Sequence, residues 1–209
     1  MTTRPKRVST ATALRRIVGE GLRLEEPMSR HTTIGVGGAT RYMVVPRNAR
    51  QVVRLARYVR SNGLPCVVLG NGSNLIVRDG GFDGVVIKMS RYLSKVRVNQ
   101  RTVFAEGGAS FARLSRNMTS RGRTGMEFGI GIPGTVGGAV VMNAGAFDGE
   151  VGNILSRVKL VDADGVARVF RAGDIQFGYR KTNLPKDSIV LSATFRCPPG
   201  DIDMDTYQR

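Results

Sequence analysis

Between Gly129 and Gly149 the chain places seven glycines in twenty-one residues, and no other feature limits its fold so tightly. Each glycine gives up more backbone freedom on folding than any other residue, so a run this dense weakens a plain helix or strand. Such a run suits main chain that must lie flat against a planar partner. Pro133 and Thr135 follow within it, and together they predict a helix start whose N-terminus faces a phosphate or a ring carbonyl. The spacing Gly129-Ile130-Gly131-Ile132-Pro133-Gly134 also matches the dinucleotide fingerprint of doubly wound sheets, with Glu150 about twenty residues on. That fingerprint needs a buried strand before it. Arg123-Thr124-Gly125-Met126-Glu127-Phe128 is a poor one, and Glu150 sits in a glycine-flanked loop, so a Rossmann unit is not expected.

A second glycine loop, Leu69-Gly70-Asn71-Gly72-Ser73-Asn74-Leu75, lies between two apolar runs, Cys66–Leu69 and Val85–Ile87. Two glycines one residue apart let the backbone expose successive N–H groups as an anion-binding nest, and Ser73 and Asn74 add side-chain donors. Asn and Gly also mark ordinary turns, so a plain connection stays open on the residues alone. If the nest reading holds, a side chain at Gly70 or Gly72 should either force off a required positive φ or block the phosphate. No Gly-Lys-Ser/Thr triplet is present, which removes a Walker-type loop.

The surrounding pattern mixes helices and strands. Asn48 predicts a cap for a helix Ala49–Asn62 ended by Gly63, with Val52, Leu55, Ala56 and Val59 as its buried stripe. Val96–Val98 with Thr102–Ala105, and Leu155–Val161 with Val166–Phe170, read as hairpins. Ser110 predicts a cap for a helix over Phe111, Leu114 and Met118 that stops at Gly122. Ser188–Phe195 is a last alternating strand. Residues 1–30 read as an arm with a short helix near Ala13–Gly19. Hairpins among helices indicate an α+β fold.

Charge requires a separate argument. Lys and Arg number 32 against 16 acidic residues, a formal net charge of +16. Thirteen basic and three acidic side chains fall in residues 1–60. Arg50, Arg54, Arg57 and Arg60 occupy the arc of the predicted helix left over by its apolar stripe, which suits a water-facing surface. Without tryptophan, and without an aromatic cluster suited to base stacking interleaved with those arginines, a specific nucleic-acid surface is not expected; a field that attracts small anions is. No apolar run follows Arg4, Lys6 and Arg7, so no signal peptide is expected, and none approaches the ~20 residues of a membrane span. Cys66 and Cys197 suit reduced cytoplasmic thiols.

Taken in order, four segments resemble the UDP-N-acetylenolpyruvoylglucosamine reductase family: His31-Thr32-Thr33 with Gly37-Gly38-Ala39; Leu69–Leu75 followed by Asp79 and Gly84–Ile87; Gly131–Gly138 running into Asn143–Ala146; and Phe177-Gly178-Tyr179-Arg180. The resemblance implies an FAD-binding fold of the vanillyl-alcohol-oxidase (PCMH) type, two α+β subdomains with the flavin between them. It implies FAD and NADPH as cofactors, a UDP-sugar as substrate, and a cytoplasmic step of peptidoglycan-precursor synthesis. It assigns Gly70, Asn71, Gly72, Ser73 and Asn74 to the FAD pyrophosphate. Gly131, Ile132, Pro133, Gly134, Thr135, Gly137, Gly138, Asn143, Ala144 and Gly145 would line the rest of the cofactor. Tyr179 would touch substrate, and Arg180 would be the catalytic cation. His31 and Glu127 read as structural. The implied organisation is an arm over 1–30, the FAD-binding domain over 31–200, and over 201–209 the start of a connection to a substrate domain lying beyond Arg209. That domain would carry the proton donor. A non-catalytic flavin-binding module is the alternative.

Overall fold

A computed structural model describes residues 9–201 of the chain. Arg4, Lys6 and Arg7, and all but Asp201 of the expected connection 201–209, lie outside the described residues.

The first α+β layer begins with α1 (Thr10–Val18), capped by the Ser9 hydroxyl accepting from the Thr12 amide. Strand β1 (Leu22–Pro27) follows and pairs antiparallel with β2 (Ala39–Val44). The segment expected to be an arm therefore supplies a helix and an edge strand to the fold. Leu14, Ile17, Val18 and Leu22 join the same core as Val52, Leu55 and Val59. That second trio belongs to α2 (Ala49–Ser61), where the Asn48 side chain accepts from the Gln51 amide, as its sequence pattern requires.

Strands β3 (Cys66–Leu69) and β4 (Phe82–Lys88) complete a sheet in the order β1-β2-β4-β3. β4 runs parallel to both β2 and β3. Parallel neighbours cannot be joined by a tight turn and need a crossover of about a dozen residues. The whole run of residues 70–81, phosphate-loop candidate included, is that crossover. Periodicity located both strands but carried nothing about their relative direction.

The second layer is antiparallel throughout, in the order β10-β9-β13-β6-β5. It comprises β5 (Val96–Val98), β6 (Thr102–Glu106), β9 (Leu155–Val161), β10 (Ala167–Arg171) and β13 (Ile189–Arg196). Helix α3 (Phe111–Thr119), capped by Ser110, packs Phe111, Leu114 and Met118 onto it. The short helix α4 (Val136–Val141) lies against β13. Two small ladders, β7 (Gly145–Ala146) with β8 (Gly149–Glu150) and β11 (Phe177–Gly178) with β12 (Lys181–Thr182), and the turn α5 (Val151–Ile154) close one end. Val161, Ile189 and Leu191 of the second sheet bury themselves among the side chains of α1, α2 and β4. The two subdomains thus share core as well as a surface.

Candidate functional site

The two glycine loops meet at the seam between subdomains. They line one groove of about 870 Å³, within the range of small-molecule sites. One wall is Gly70, Asn71, Gly72, Ser73, Asn74 and Leu75, running straight out of β3. The other is Gly131, Ile132, Pro133, Gly134 and Thr135, with Gly138, Ala139, Met142, Ala144, Gly145, Ala146 and Phe147 beyond. Phe128 and Arg180 also line the groove.

Main-chain hydrogen bonding distinguishes this groove from a plain seam. None of the N–H groups of Gly70, Asn71, Gly72, Ser73 and Asn74 donates to another described residue, and neither do those of Gly131, Gly134 and Thr135. Eight donors with no protein acceptor, on residues lining one groove, suit an anionic, oxygen-rich ligand. The loop is fastened instead by its carbonyls and side chains. Asn71 Nδ2 donates to the Gly134 carbonyl at 3.2 Å, and Ser90 Oγ to the Gly70 carbonyl at 3.2 Å. The Thr33 amide donates to the Gly72 carbonyl at 3.1 Å.

The helix start at Thr135 exists, but the N–H groups of Val136, Gly137 and Gly138 in its first turn are spent. The Val136 and Gly137 amides donate to the carbonyls of Ala109 and Gly107 at 2.8 Å each, and the Gly138 amide to Thr135 Oγ1 at 3.5 Å. The first turn of α4 is thereby tied to the β6–α3 connection. At this helix start only the Thr135 N–H is left without an acceptor, so the first turn itself does not supply the donors expected from Pro133 and Thr135.

The glycines divide into two kinds. A Cβ at Gly131 would meet nothing within 4 Å, and one at Gly138 only Thr135 Oγ1 at 3.8 Å. A side chain at either would enter the groove. A Cβ at Gly72 (φ +73°) would strike the His31 carbonyl, and one at Gly70 the Thr135 hydroxyl. The sequence reading offered a required positive φ or phosphate clearance for those two glycines; Gly72 has the positive φ, and at both positions the atoms in the way are protein. Gly137 lies off the groove, 3.0 Å in the same sense from the Gly107 carbonyl.

Asn143 also stands behind the groove rather than in it. It is 2% exposed with φ +41°. Its Oδ1 accepts from the Gly152 amide at 2.9 Å and its Nδ2 donates to the Gly178 carbonyl at 3.2 Å. One side chain thus ties Ala144 and Gly145, which do line the groove, to α5 and to the β11–β12 turn. That turn ends on Arg180, held at φ +56° with its guanidinium 5.7 Å from the Tyr179 ring centroid. Tyr179 is 88% exposed and is not part of the groove wall. Phe128, Ala139, Met142 and Phe147 also line the groove without having been singled out as site residues, whereas Ala146 belongs to the Asn143–Ala146 motif.

Two structural assignments hold in detail. His31 is clamped between Glu26 Oε1, 2.8 Å from Nε2, and Lys88 Nζ, 2.7 Å from Nδ1. Glu127 is buried and accepts from the Gly125 amide at 2.7 Å. It belongs to a 3-10 turn, Glu127–Gly129, so no strand precedes the Rossmann-like spacing. Cys66 and Cys197 are free thiols pushed up to about 11 by burial, which leaves both as poor nucleophiles. Among the described residues no cluster of His, Cys, Asp and Glu suits a metal, and no helix is long and apolar enough to cross a membrane.

A second cleft of about 840 Å³ reaches the phosphate-loop candidate from its other side, at Asn71. Ser90, Arg91, Ser94, Arg113, Asn117 and Arg121 supply its polar lining.

The family of FAD binding domains matches residues 40–171. The UDP-N-acetylenolpyruvoylglucosamine reductase of Streptococcus uberis is 41% identical over 188 residues, 90% of this chain and 62% of the relative. The crystal structure of UDP-N-acetylenolpyruvylglucosamine reductase from Thermus caldophilus superposes with a TM-score of 0.73 at 31% identity, covering 86% of this chain and 64% of that one. Cholesterol oxidase from Brevibacterium sterolicum, at 16% identity, shares the fold with a TM-score of 0.59 over 86% of this chain and 37% of its own. The chain spans under two thirds of the length of these proteins. The fold is of the vanillyl-alcohol-oxidase (PCMH) type. A chain with this fold, this seam of unpartnered main-chain donors and these relatives belongs to the FAD binding domain family, and along nine-tenths of its length it is a relative of UDP-N-acetylenolpyruvoylglucosamine reductases.

Proposed function

We propose that the chain holds FAD along the seam and forms the flavin-binding part of a cytoplasmic, NADPH-driven reductase. Its substrate would be UDP-N-acetylglucosamine enolpyruvate and its product UDP-N-acetylmuramate, for peptidoglycan synthesis. The observation that carries this reading is the set of eight main-chain N–H groups without protein acceptors on residues lining one groove. FAD, when bound, supplies two-electron hydride chemistry.

The rest falls to the chain's own residues. Gly70–Asn74 would hold the pyrophosphate, the middle of a two-armed ligand, and the loop sits where two cavities meet. Phe128, Met142 and Ala144 offer an apolar wall on one side for the flavin arm. The cleft at Ser94, Arg113 and Asn117 offers stacking and hydrogen-bonding groups for the AMP arm. Arg180 presents a fixed cation at the flavin end, where negative charge develops on the enolpyruvyl group as it is reduced. A permanent charge placed there lowers that barrier without reorganisation.

Fluorescence titration of the purified chain with FAD and with FMN tests the binding half. Saturable binding of one FAD, well ahead of FMN, is expected, because FMN lacks the AMP arm. Failure of FAD to bind, or equal affinity for FMN, would remove the assignment of the two cavities. The reaction is tested in a polypeptide extended to the relatives' full length, by turnover with NADPH. Tight FAD binding with no turnover there would favour a non-catalytic flavin-binding module.

A further inference from the structure

Behind the phosphate-loop candidate, on the side away from the groove, lies a run of charged and polar side chains that cofactor contact does not explain. Arg23 Nη1 and His31 Nε2 both reach Glu26 Oε1, at 3.0 and 2.8 Å, and Lys88 Nζ reaches His31 Nδ1 at 2.7 Å. The His31 and Glu26 side chains are 9% and 11% exposed. Burial works to raise the Glu26 carboxyl, but the hydrogen bonds from His31 and Arg23 outweigh it and hold it below its ordinary value. A carboxylate there accepts the Nε2 proton, so Nδ1 carries the lone pair and the Lys88 ammonium donates to it.

This chain of contacts grips the loop at two points. Lys88 is the register partner of Leu69, the residue from which the loop departs. The His31 carbonyl lies where a Cβ of Gly72 would stand, and the Thr33 amide and hydroxyl both donate to the Gly72 carbonyl, at 3.1 and 3.3 Å. The foot of the loop is therefore fixed through Lys88 and its tip through His31–Thr33, and the imidazole joins the two.

We propose that His31 is a positioning residue that sets the phosphate loop only while its ring is neutral, so that protonation loosens FAD. This rests on the FAD reading above. A second proton on the ring lands on Nδ1, which can then no longer accept from Lys88. Two cations would face each other across a hydrogen-bond distance, with Arg23 and Arg91 adding positive charge at Lys88 and Glu26 the acid that offsets it and contacts His31. Glu26 keeps the imidazolium as an ion pair, so the Lys88 end of the clamp opens. Burial, with Arg23 and Arg91, already makes Lys88 a weaker base than usual; it has little reserve against a further charge.

The test is the dissociation constant for FAD at about pH 8 and about pH 5.5, with circular dichroism confirming the fold at each. Affinity in the unaltered chain should fall by about tenfold or more toward acid. His31→Gln keeps an acceptor for Lys88 and a donor for Glu26 but cannot titrate. It should bind tightly and equally at both values. Lys88→Met should bind weakly and equally at both. If His31→Gln weakens toward acid by the same factor as the unaltered chain, or if the unaltered chain shows no pH dependence, the inference is wrong while the FAD reading stands. Absence of FAD binding at about pH 8 overturns both.

Discussion

A glycine is informative only once its neighbours are known. Gly131 and Gly72 share one sequence trait, another glycine two positions earlier, yet one opens onto the groove and the other onto the His31 carbonyl. Gly131→Val should fold normally and bind FAD at least about tenfold more weakly. Gly72→Val should instead lower stability by about 2–3 kcal/mol or more, since it forces both a positive φ and a collision with main chain. Thermal unfolding and flavin absorbance on the two variants would separate them; equal melting temperatures would contradict the division. Arg180 makes a parallel case. Its φ of +56° and its place on the groove wall are invisible in a Tyr-Arg pair, and only the family resemblance singled it out. In the extended polypeptide, Arg180→Ala should spare FAD binding and flavin reduction by NADPH. It should slow reoxidation by the enolpyruvyl substrate by ~10²–10³, with Arg180→Lys a partial rescue because an ammonium cannot copy a planar fork. Stopped-flow traces of the two half-reactions decide it, and slowed flavin reduction with normal reoxidation would refute the role.

At the level of elements, local chemistry was legible and assembly was not. Asn48, Ser110 and Thr135 each cap the helix that follows, because a short polar side chain before an apolar stripe has one good use. Thr135 should therefore matter to stability: Thr135→Val removes the acceptor of the Gly138 amide and should cost about 1 kcal/mol, read from the denaturant midpoint. An unchanged midpoint would mean that the hold of Ala109 and Gly107 on the first turn suffices. What Thr135 could not reveal is that this hold exists, since the partners of Val136 and Gly137 lie some thirty residues away in sequence and belong to another connection. For the same reason β1 was missed. Leu22–Pro27 has two charged residues in a row and a terminal proline, a weak strand by composition, and it forms because β2 offers an open edge. Asn143 lies at the same boundary: its motif marked it as important, and only the fold shows that it braces the groove from behind.

For the whole molecule, the charge of +16 has an outcome of its own. The four arginines of α2 lie on the face left free by its buried stripe, among them Arg60, which meets Asp164 at an exposed 3.6 Å contact. Binding to duplex or single-stranded nucleic acid should be weak, indifferent to sequence and lost at moderate salt, with affinity falling linearly in log salt. Tight binding to one defined sequence at physiological salt would contradict this. The site, in contrast, owes little to net charge and much to where two sheets meet. One wall of the groove leaves β3 in the first subdomain, and the opposite wall belongs to the second, joined across the seam by Asn71 and Gly134. Any ligand gripped by both walls acts as mortar between them. Its departure then requires the bricks to part, so the rate at which flavin exchanges should be governed by how often the shared core of Val161, Ile189 and Leu191 lets the subdomains separate. Exchange would then be slow even where affinity is modest.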